Sequence, residues 1–488
     1  MENNSPATQV YTAAIKAWPA HTERVREPLL ILFALALGTV VWNMPPLAGV
    51  SDKGTHFLAT MIVAVSLWVL DVFDEYVVGL MLLLSWVVLD IVPTKVALAG
   101  FSQNSWFFTI GALGIAAAIG KTTLLQRLAA RLLGWIMIHR QNTYLFALLS
   151  AGVLSGPLLP TGKARAAVAV PISQAISDAA AFAPRSNGSA SISLAAFIGF
   201  SQMSFLFLTG GEHCLIGWNF LPPALKTEFG WLSWFLVALP PALCVVGFML
   251  LAIKFLLPLS AQEKEYLAAH TGLSLKDSGP LTRSEWTILA TLLLTVLGWL
   301  TTSLHGINEA WVALAALLVF LLTGILDKKS FQSDIDWGLV LFFGALNSMA
   351  LVAEHTKIDA WFVSLSAPSL GQLASRPLAF LLGVCLLASA IRLLLRKTPT
   401  AALLAVTVLP LSELAGIHPG VVLVVGIMAG ECFFLGYQDG PYQIAYAGAG
   451  GRAFSHAQAR KVLGAKYLAT FFAVALSVPY WTFLGFIR

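Results

Sequence analysis

Long apolar runs alternate with short polar ones along the whole chain. Uninterrupted runs that predict membrane-spanning helices lie near residues 29–47, 58–70, 76–92, 101–120, 231–258, 285–303, 308–326, 336–353 and 467–487. Four further segments are apolar but broken. Segments 143–183 and 378–416 are cut by Thr161-Gly162-Lys163-Ala164-Arg165 and Arg396-Lys397-Thr398-Pro399-Thr400. Segments 190–225 and 419–450 are cut by Thr209-Gly210-Gly211-Glu212-His213 and Gly436-Tyr437-Gln438-Asp439-Gly440-Pro441. Two breaks in each half suggest a duplicated unit. Short matches agree: Gly111-Ala112-Leu113 recurs as Gly344-Ala345-Leu346, Ala166-Ala167 as Ala401-Ala402, and Phe207-Leu208 as Phe434-Leu435, in one order and at nearly constant spacing.

Composition narrows the class. Of 488 residues, 58% are hydrophobic and 11% are charged, against roughly 25% charged in a soluble domain. A soluble enzyme and a disordered scaffold are excluded. So is a nucleic-acid binder, because the net charge of +5 comes from 29 basic and 24 acidic residues spread thinly. Cys214, Cys244, Cys385 and Cys432 lack CxxC spacing, so neither disulfides nor a zinc site are expected. No cleavable signal peptide is evident before Leu29. The expected fold is an all-α polytopic membrane protein with about eleven transmembrane helices, since each needs roughly 20 apolar residues.

Orientation follows from Lys and Arg. If the tail with Lys16, Arg24 and Arg26 is cytoplasmic, and the segments 143–183 and 378–416 are re-entrant hairpins, one side collects most of the positive charge. That side holds Lys121, Arg127, Arg131, Arg140, Arg185, Lys264, Lys276, Arg283, Lys328, Lys329, Arg452, Arg460, Lys461 and Lys466. The other keeps isolated Lys53, Lys95, Lys226, Lys357 and Arg376. The first hairpin then enters from the cytoplasm and the second from outside. This is an inverted-topology repeat, each copy with a hairpin and a broken helix, the plan of secondary transporters.

Non-helical backbone is stable at membrane depth only where protein buries it or water reaches it. Each break also exposes half-helix N-termini that attract anions. One break alone reads as a kinked, packed helix; four in matching positions point to a midplane site. The candidate substrate-contacting residues are Thr161, Gly162, Lys163 and Arg165, with Thr209, Gly210 and Gly211, in the first half. In the second they are Arg396, Lys397, Thr398, Pro399 and Thr400, with Gln438, Gly440 and Pro441. A cation at the bilayer centre costs about 2.5–3.5 kcal/mol, so the four cations need partners. Those are an anionic substrate or, alternatively, Glu212, Asp439, Glu413 or Glu431, with snorkelling to a surface open to Arg165 and Lys397. Glu212 and Asp439 stand at equivalent places in the two helix breaks, and with His213 are candidates for carrying a coupling ion or proton. Tyr437, Gln438, Tyr442 and Gln443 either donate to a carboxylate or satisfy broken backbone.

Ala99-Gly100-Phe101-Ser102 before a span and Asp336-Trp337-Gly338 leading into Phe343-Gly344-Ala345 resemble signatures of the divalent anion:sodium symporter family, within the wider ion-transporter superfamily. Thr398 to Leu404 sits where that family carries Ser-Asn-Thr-Ala-Thr-Ala-Ala at a hairpin tip. Thr161 to Pro171 resembles the first copy, and Pro441 to Tyr446 its Pro-Asn-x-Ile-x-Tyr. The resemblance runs from about residue 58 onward. It implies a secondary carrier of a small organic anion such as a di- or tricarboxylate, homodimeric, multi-pass in the bacterial inner membrane, with a cytoplasmic N-terminus. It also implies a division into tail 1–28, scaffold 29–92, transport region 93–230, scaffold and cytoplasmic loop 231–335, and transport region 336–488. The family's Ser-Asn-Thr tips bind sodium and touch the substrate carboxylates; here they align as Thr161-Gly162-Lys163 and Arg396-Lys397-Thr398. Its Gly-Thr-Pro-Pro-Asn helix breaks are largely lost, with Glu212 and Asp439 in those stretches. A fixed ammonium at Lys163 in place of sodium suits a sodium-independent exchanger or a proton-coupled carrier. The alternatives are a cation- or proton-coupled antiporter using Glu212 and Asp439, and a membrane-embedded enzyme, for which no polar active-site cluster is visible. No cofactor is expected; sodium or a proton is the candidate coupling ion.

Overall fold

The computed structural model describes residues 23–46, 48–70, 72–122, 124, 127, 141–157, 161–269, 280–358, 360–361, 364 and 376–488. Lys16, Arg131, Arg140 and Lys276, counted above for orientation, lie outside the described residues. Every regular element among the described residues is helical. Five helices are long and apolar enough to cross a membrane, and several shorter apolar ones accompany them.

In chain order, α1 (Glu23–Trp42), α2 (Asp52–Val69), α3 (Glu75–Val88) and α4 (Asn104–Gly120) precede the first hairpin. Its legs are α5 (Gln141–Leu154) and α6 (Gly162–Ala179). The first broken helix is α7 (Asn187–Ser201) followed by α8 (Glu212–Asn219). Then come α9 (Trp231–Leu256), α10 (Arg283–Leu300), α11 (Glu309–Leu322) and α12 (Trp337–His355). The second hairpin is α13 (Pro377–Leu394) and α14 (Lys397–Ser412), and the second broken helix α15 (Pro419–Gly430) and α16 (Gly440–Gly448). The chain closes with α17 (His456–Phe483).

Local chemistry sets these boundaries. Thr282 and Glu285 form a reciprocal capping box at the start of α10, and Ser455 with Gln458 does the same for α17. The second box explains why α17 begins well before the apolar run at 467: its first turns are polar but properly capped. Proline opens α13 and α15, where its missing N–H costs nothing. α15 is apolar on all sides and buried throughout, and α7, which mixes serines with apolar residues, is buried from Gly188 onward, as expected of helices enclosed by others.

Small residues allow the closest crossings. Gly152 of α5 lies against Gly199 of α7, so a Cβ on either would collide with the other helix's backbone. Gly111 and Gly114 of α4 receive Ala313 and Leu317 of α11. The Ala99-Gly100-Phe101-Ser102 turn seats on α12: Gly100 N donates to Ser348 Oγ at 3.1 Å, Asn347 donates to the Gly100 carbonyl at 3.3 Å, and Phe101 covers Gly344. The two signature stretches are thus two halves of one contact. On the far side α9 packs along α17, with Trp481 donating to the Val237 carbonyl at 2.9 Å.

The repeats interlock. Leg α6 packs on α7 of its own repeat and on α16 of the other; leg α14 packs on α15 of its own repeat and on α8 of the other. Each hairpin therefore touches both broken helices.

Candidate functional site

Both helix breaks are short. After α7 the chain makes two tight turns, Ser204–Leu206 and Leu208–Gly210, before α8 begins. After α15 a single turn, Gly436–Gln438, precedes α16. Gly210 permits the first break, because a Cβ there would strike the Ser204 carbonyl.

The freed carbonyls are met by arginine. Arg165 is 1% exposed, and donates from Nε to the Phe200 carbonyl and from Nη2 to Ser204 Oγ at 2.6 Å. It ties the first hairpin to the first break. Arg392 is fully buried and does the same for the second: Nε to the Gly430 carbonyl at 3.0 Å, Nη1 to Leu395 at 2.8 Å and Nη2 to Gln438 at 2.8 Å. Charge-assisted bonds of this kind run about twice the strength of neutral ones, which suits backbone that has no water to turn to. Snorkelling is thus ruled out for Arg165, whose charge is consumed inside the protein.

The carboxylates sit among these cations. Asp439 is the N-cap of α16, Oδ1 accepting from Tyr442 N at 2.9 Å. Its Oδ2 stands 3.3 Å from Lys397 Nζ and 3.8 Å from Arg392 Nη2, and Gln202 donates to it at 3.3 Å. Glu431, fully buried, accepts from Phe205 N at 3.0 Å and from His213 Nε2 at 3.2 Å. The sequence places Glu212 opposite Asp439, but the structure shifts the match by one residue. Gly211 occupies the cap position of α8 and Glu212 is its first helical residue. Glu413 is exposed at the far end of α14 and meets none of the tip cations.

The remaining candidates divide in two. Several spend their polar groups on the frame. The Thr161 hydroxyl caps α6 through Ala164 N, Thr400 returns its hydroxyl to the Arg396 carbonyl at 2.8 Å, and Thr209 accepts from Trp231 at 3.2 Å. Gln438 donates to the Arg392 and Leu393 carbonyls at 3.2 and 3.0 Å and accepts from Phe434 N and Leu435 N. Thr398 and Pro399 are buried in the first turn of α14. Others line an accessible face: Lys163 and Arg396 are exposed, Lys397 keeps 10% of its side chain exposed, and Gly440 is half-buried. The Lys163 side chain lies along Gly440, where a Cβ would sit 3.0 Å from its Cε, and Gly162 faces Pro441. The first tip and the second break are therefore one surface.

Arg392 and Lys466 escape a reading of the sequence. Arg392 hides in an apolar run in the last turn of α13, four residues before Arg396. Lys466 counts as a cytoplasmic loop charge, yet it is 1% exposed within α17, its Nζ 3.9 Å from Glu431 Oε2 and 3.5 Å from Gln202 Oε1. It is removed from the orientation count because the early start of α17 carries it into the core.

The chain superposes on the Alcanivorax borkumensis YdaH transporter with a TM-score of 0.56 at 16% identity, covering 95% of this chain and 98% of that one. It is similar to the Escherichia coli inner membrane protein YbhI, 23% identical over 69% of this chain and 72% of that protein. It is also similar to the Escherichia coli citrate/succinate antiporter, 27% identical over 55% and 56%, and to the Arabidopsis thaliana chloroplastic dicarboxylate transporter 2.1, 27% identical over 58% and 52%. The family described as the sodium:sulfate symporter transmembrane region matches residues 26–487, nearly end to end, and the chain belongs to that family.

Proposed function

We propose that this membrane transporter exchanges small di- or tricarboxylates by alternating access, without sodium. The charge balance of the site carries the reading. Among the described residues, six cations, Lys163, Arg165, Arg392, Arg396, Lys397 and Lys466, stand at or beside the tips and breaks, with three carboxylates, Glu212, Glu431 and Asp439, among them. Such an excess of positive charge in a low-dielectric site attracts a polycarboxylate and repels a sodium ion. The exposed members, Lys163 and Arg396, are placed to meet the substrate, with the N-terminal end of α16 beside them.

The positions that the resemblance assigns to sodium support the same reading. The Arg165 guanidinium bridges the first hairpin to the first break, and the Lys397 ammonium bridges the second tip to Asp439. In this reading fixed cations at or beside the aligned tips take the place of a mobile one. Arg165, two residues beyond the aligned Thr161-Gly162-Lys163, joins Lys163 as a candidate for that role at the first tip. A cation antiporter working through Asp439 is disfavoured, since that carboxylate already answers to Lys397, Arg392 and Gln202. Relatives named for dicarboxylates, citrate and succinate support this substrate class, and the family consists of transporters rather than enzymes. In this reading the hairpin-bearing regions, 93–230 and 336–488, move against the helices of 29–92 and 231–326, in a homodimer with cytoplasmic N-termini.

The test is radiolabelled succinate uptake into proteoliposomes, with and without internal succinate and with sodium or choline outside. Uptake that requires internal dicarboxylate and ignores sodium supports exchange. Uptake driven by an inward sodium gradient into empty vesicles refutes it.

A further inference from the structure

A polar chain runs through the core of the molecule from His213 to the second hairpin tip. His213 Nε2 is 3.2 Å from Glu431 Oε1, and Glu431 Oε2 is 3.9 Å from Lys466 Nζ. Lys466 Nζ is 3.5 Å from Gln202 Oε1, Gln202 Nε2 is 3.3 Å from Asp439 Oδ2, and that oxygen is 3.3 Å from Lys397 Nζ. Every member but Lys397 is buried, and Lys397 keeps 10% of its side chain exposed. The chain crosses from α8 to α15, α17, the end of α7, α16 and α14, so it belongs to both repeats.

Its inner end holds two polar atoms with no hydrogen-bond partner among the described residues, His213 Nδ1 and Glu431 Oε2. Because the carboxylate can only accept, His213 carries its proton on Nε2 and presents a bare lone pair on Nδ1. Buried polar atoms without partners are rare and call for a reason. Gly211 leaves the space, since a Cβ there would lie 2.9 Å from Nδ1. The imidazole meets Glu431 from the end of α15; the groups that act in turn on Glu431 and on Cys214, the next residue of α8, are Glu212, Arg165 from α6, Lys466 from α17 and Lys397 from α14, with Cys432 beside Lys466.

We propose that His213 Nδ1 is a proton-binding site filled as the anion binds. An anion at the exposed tip draws Lys397 away from Asp439. Asp439 then pulls on Lys466 through Gln202, and Lys466 withdraws from Glu431. The buried Glu431 carboxylate is left short of positive charge, and a proton taken from water onto Nδ1 makes His213 an imidazolium that replaces it. No bond other than N–H forms, and the proton leaves again when the anion does. Linkage makes the effect mutual: an anion that raises proton binding binds more tightly as protons become available. The inference rests on the carboxylate reading above and supplies the coupling ion that reading lacks.

Calorimetry of the purified full-length protein with succinate decides it. Titrations near pH 7.5, where the dianion predominates, are run in two buffers of different ionisation enthalpy. The expected result is heat that differs between buffers, corresponding to uptake of up to about one proton per succinate, and a Kd that weakens as the pH is raised. His213→Gln keeps an N–H for Glu431 but cannot titrate. In it, succinate heat is to be independent of buffer and Kd independent of pH. Buffer-independent heat in the wild type, or proton uptake that survives in H213Q, overturns the proposal while leaving carboxylate binding intact. No succinate binding by the folded wild type overturns the carboxylate reading and this inference with it.

Discussion

The Lys397–Asp439 pair offers the sharpest dissection of the site. At 3.3 Å, two unit charges attract by about 5 kcal/mol at an effective dielectric constant near 20. Lys397→Gln removes one partner and leaves Asp439 buried, which for such pairs costs about 3–5 kcal/mol. Arg392 at 3.8 Å and Gln202 at 3.3 Å still face the carboxylate, so the lower figure applies, about 3 kcal/mol, or roughly a hundredfold in the folding equilibrium. The assay pairs thermal unfolding in detergent with succinate counterflow. K397Q is expected to lower Tm by several degrees and to abolish counterflow. The double variant K397Q/D439N, which removes both charges, is expected to regain most of the Tm yet remain inactive, because the tip still lacks its ammonium. Full counterflow in the double variant would mean that Lys397 serves only to neutralise Asp439, and the proposed role of the tip cations would fall.

Other expectations follow from the same geometry. Arg392→Leu leaves three buried carbonyls, Gly430, Leu395 and Gln438, without donors, at about 1–3 kcal/mol each; membrane yield should collapse, and wild-type yield would contradict the assignment. Gly100→Ala forces a methyl group into the backbone of α12, whereas Gly120→Ala meets nothing within 4 Å. Size-exclusion profiles should show aggregation in the first and a normal peak in the second. Glu263, in the short helix Ala261–Ala269 beyond α9, is pushed up by burial, but hydrogen bonds from Ser260 N and Gly188 N outweigh this and hold it below the usual carboxylate range. A depressed carboxylate stabilises above its unfolded pKa and loses that contribution as pH falls through its folded one. The protection of the Gly188 amide relative to its intrinsic exchange rate should therefore fall on strong acidification, and Glu263→Gln should show the lower protection already at neutral pH.

Hairpins and breaks were legible because their polar residues interrupt otherwise uniform apolar runs, and cutting a membrane helix demands caps and small residues that cannot be disguised. Thr161, Arg396 and Asp439 all stand at helix caps where the interruptions place them. What each cation does was not legible. Lys163 and Arg165 are two residues apart at one tip, yet one is exposed and the other locked to Phe200 and Ser204, a difference set by which side of α6 meets α7. Arg392 and Lys466 were invisible for a related reason. Apart from the Leu395 carbonyl beside Arg392, their partners are main-chain carbonyls, an amide and a carboxylate supplied by segments 30 or more residues distant, and no acidic neighbour in sequence announces a buried charge.

The exchange of contacts between repeats also bears on how the molecule is made. Leg α6 finds α16, and Gln202 finds Asp439 and Lys466, only after more than two hundred further residues have left the ribosome. Until then the first hairpin and its break must wait in the membrane with polar groups unmatched, at a cost of several kcal/mol for each group facing lipid. Maturation is therefore decided late and all at once, with the arrival of α16 and α17. A chain stopped before Gly440 holds both hairpins but lacks Lys466 and the second half of the second broken helix, which makes it a substrate for membrane quality control rather than a half-built carrier.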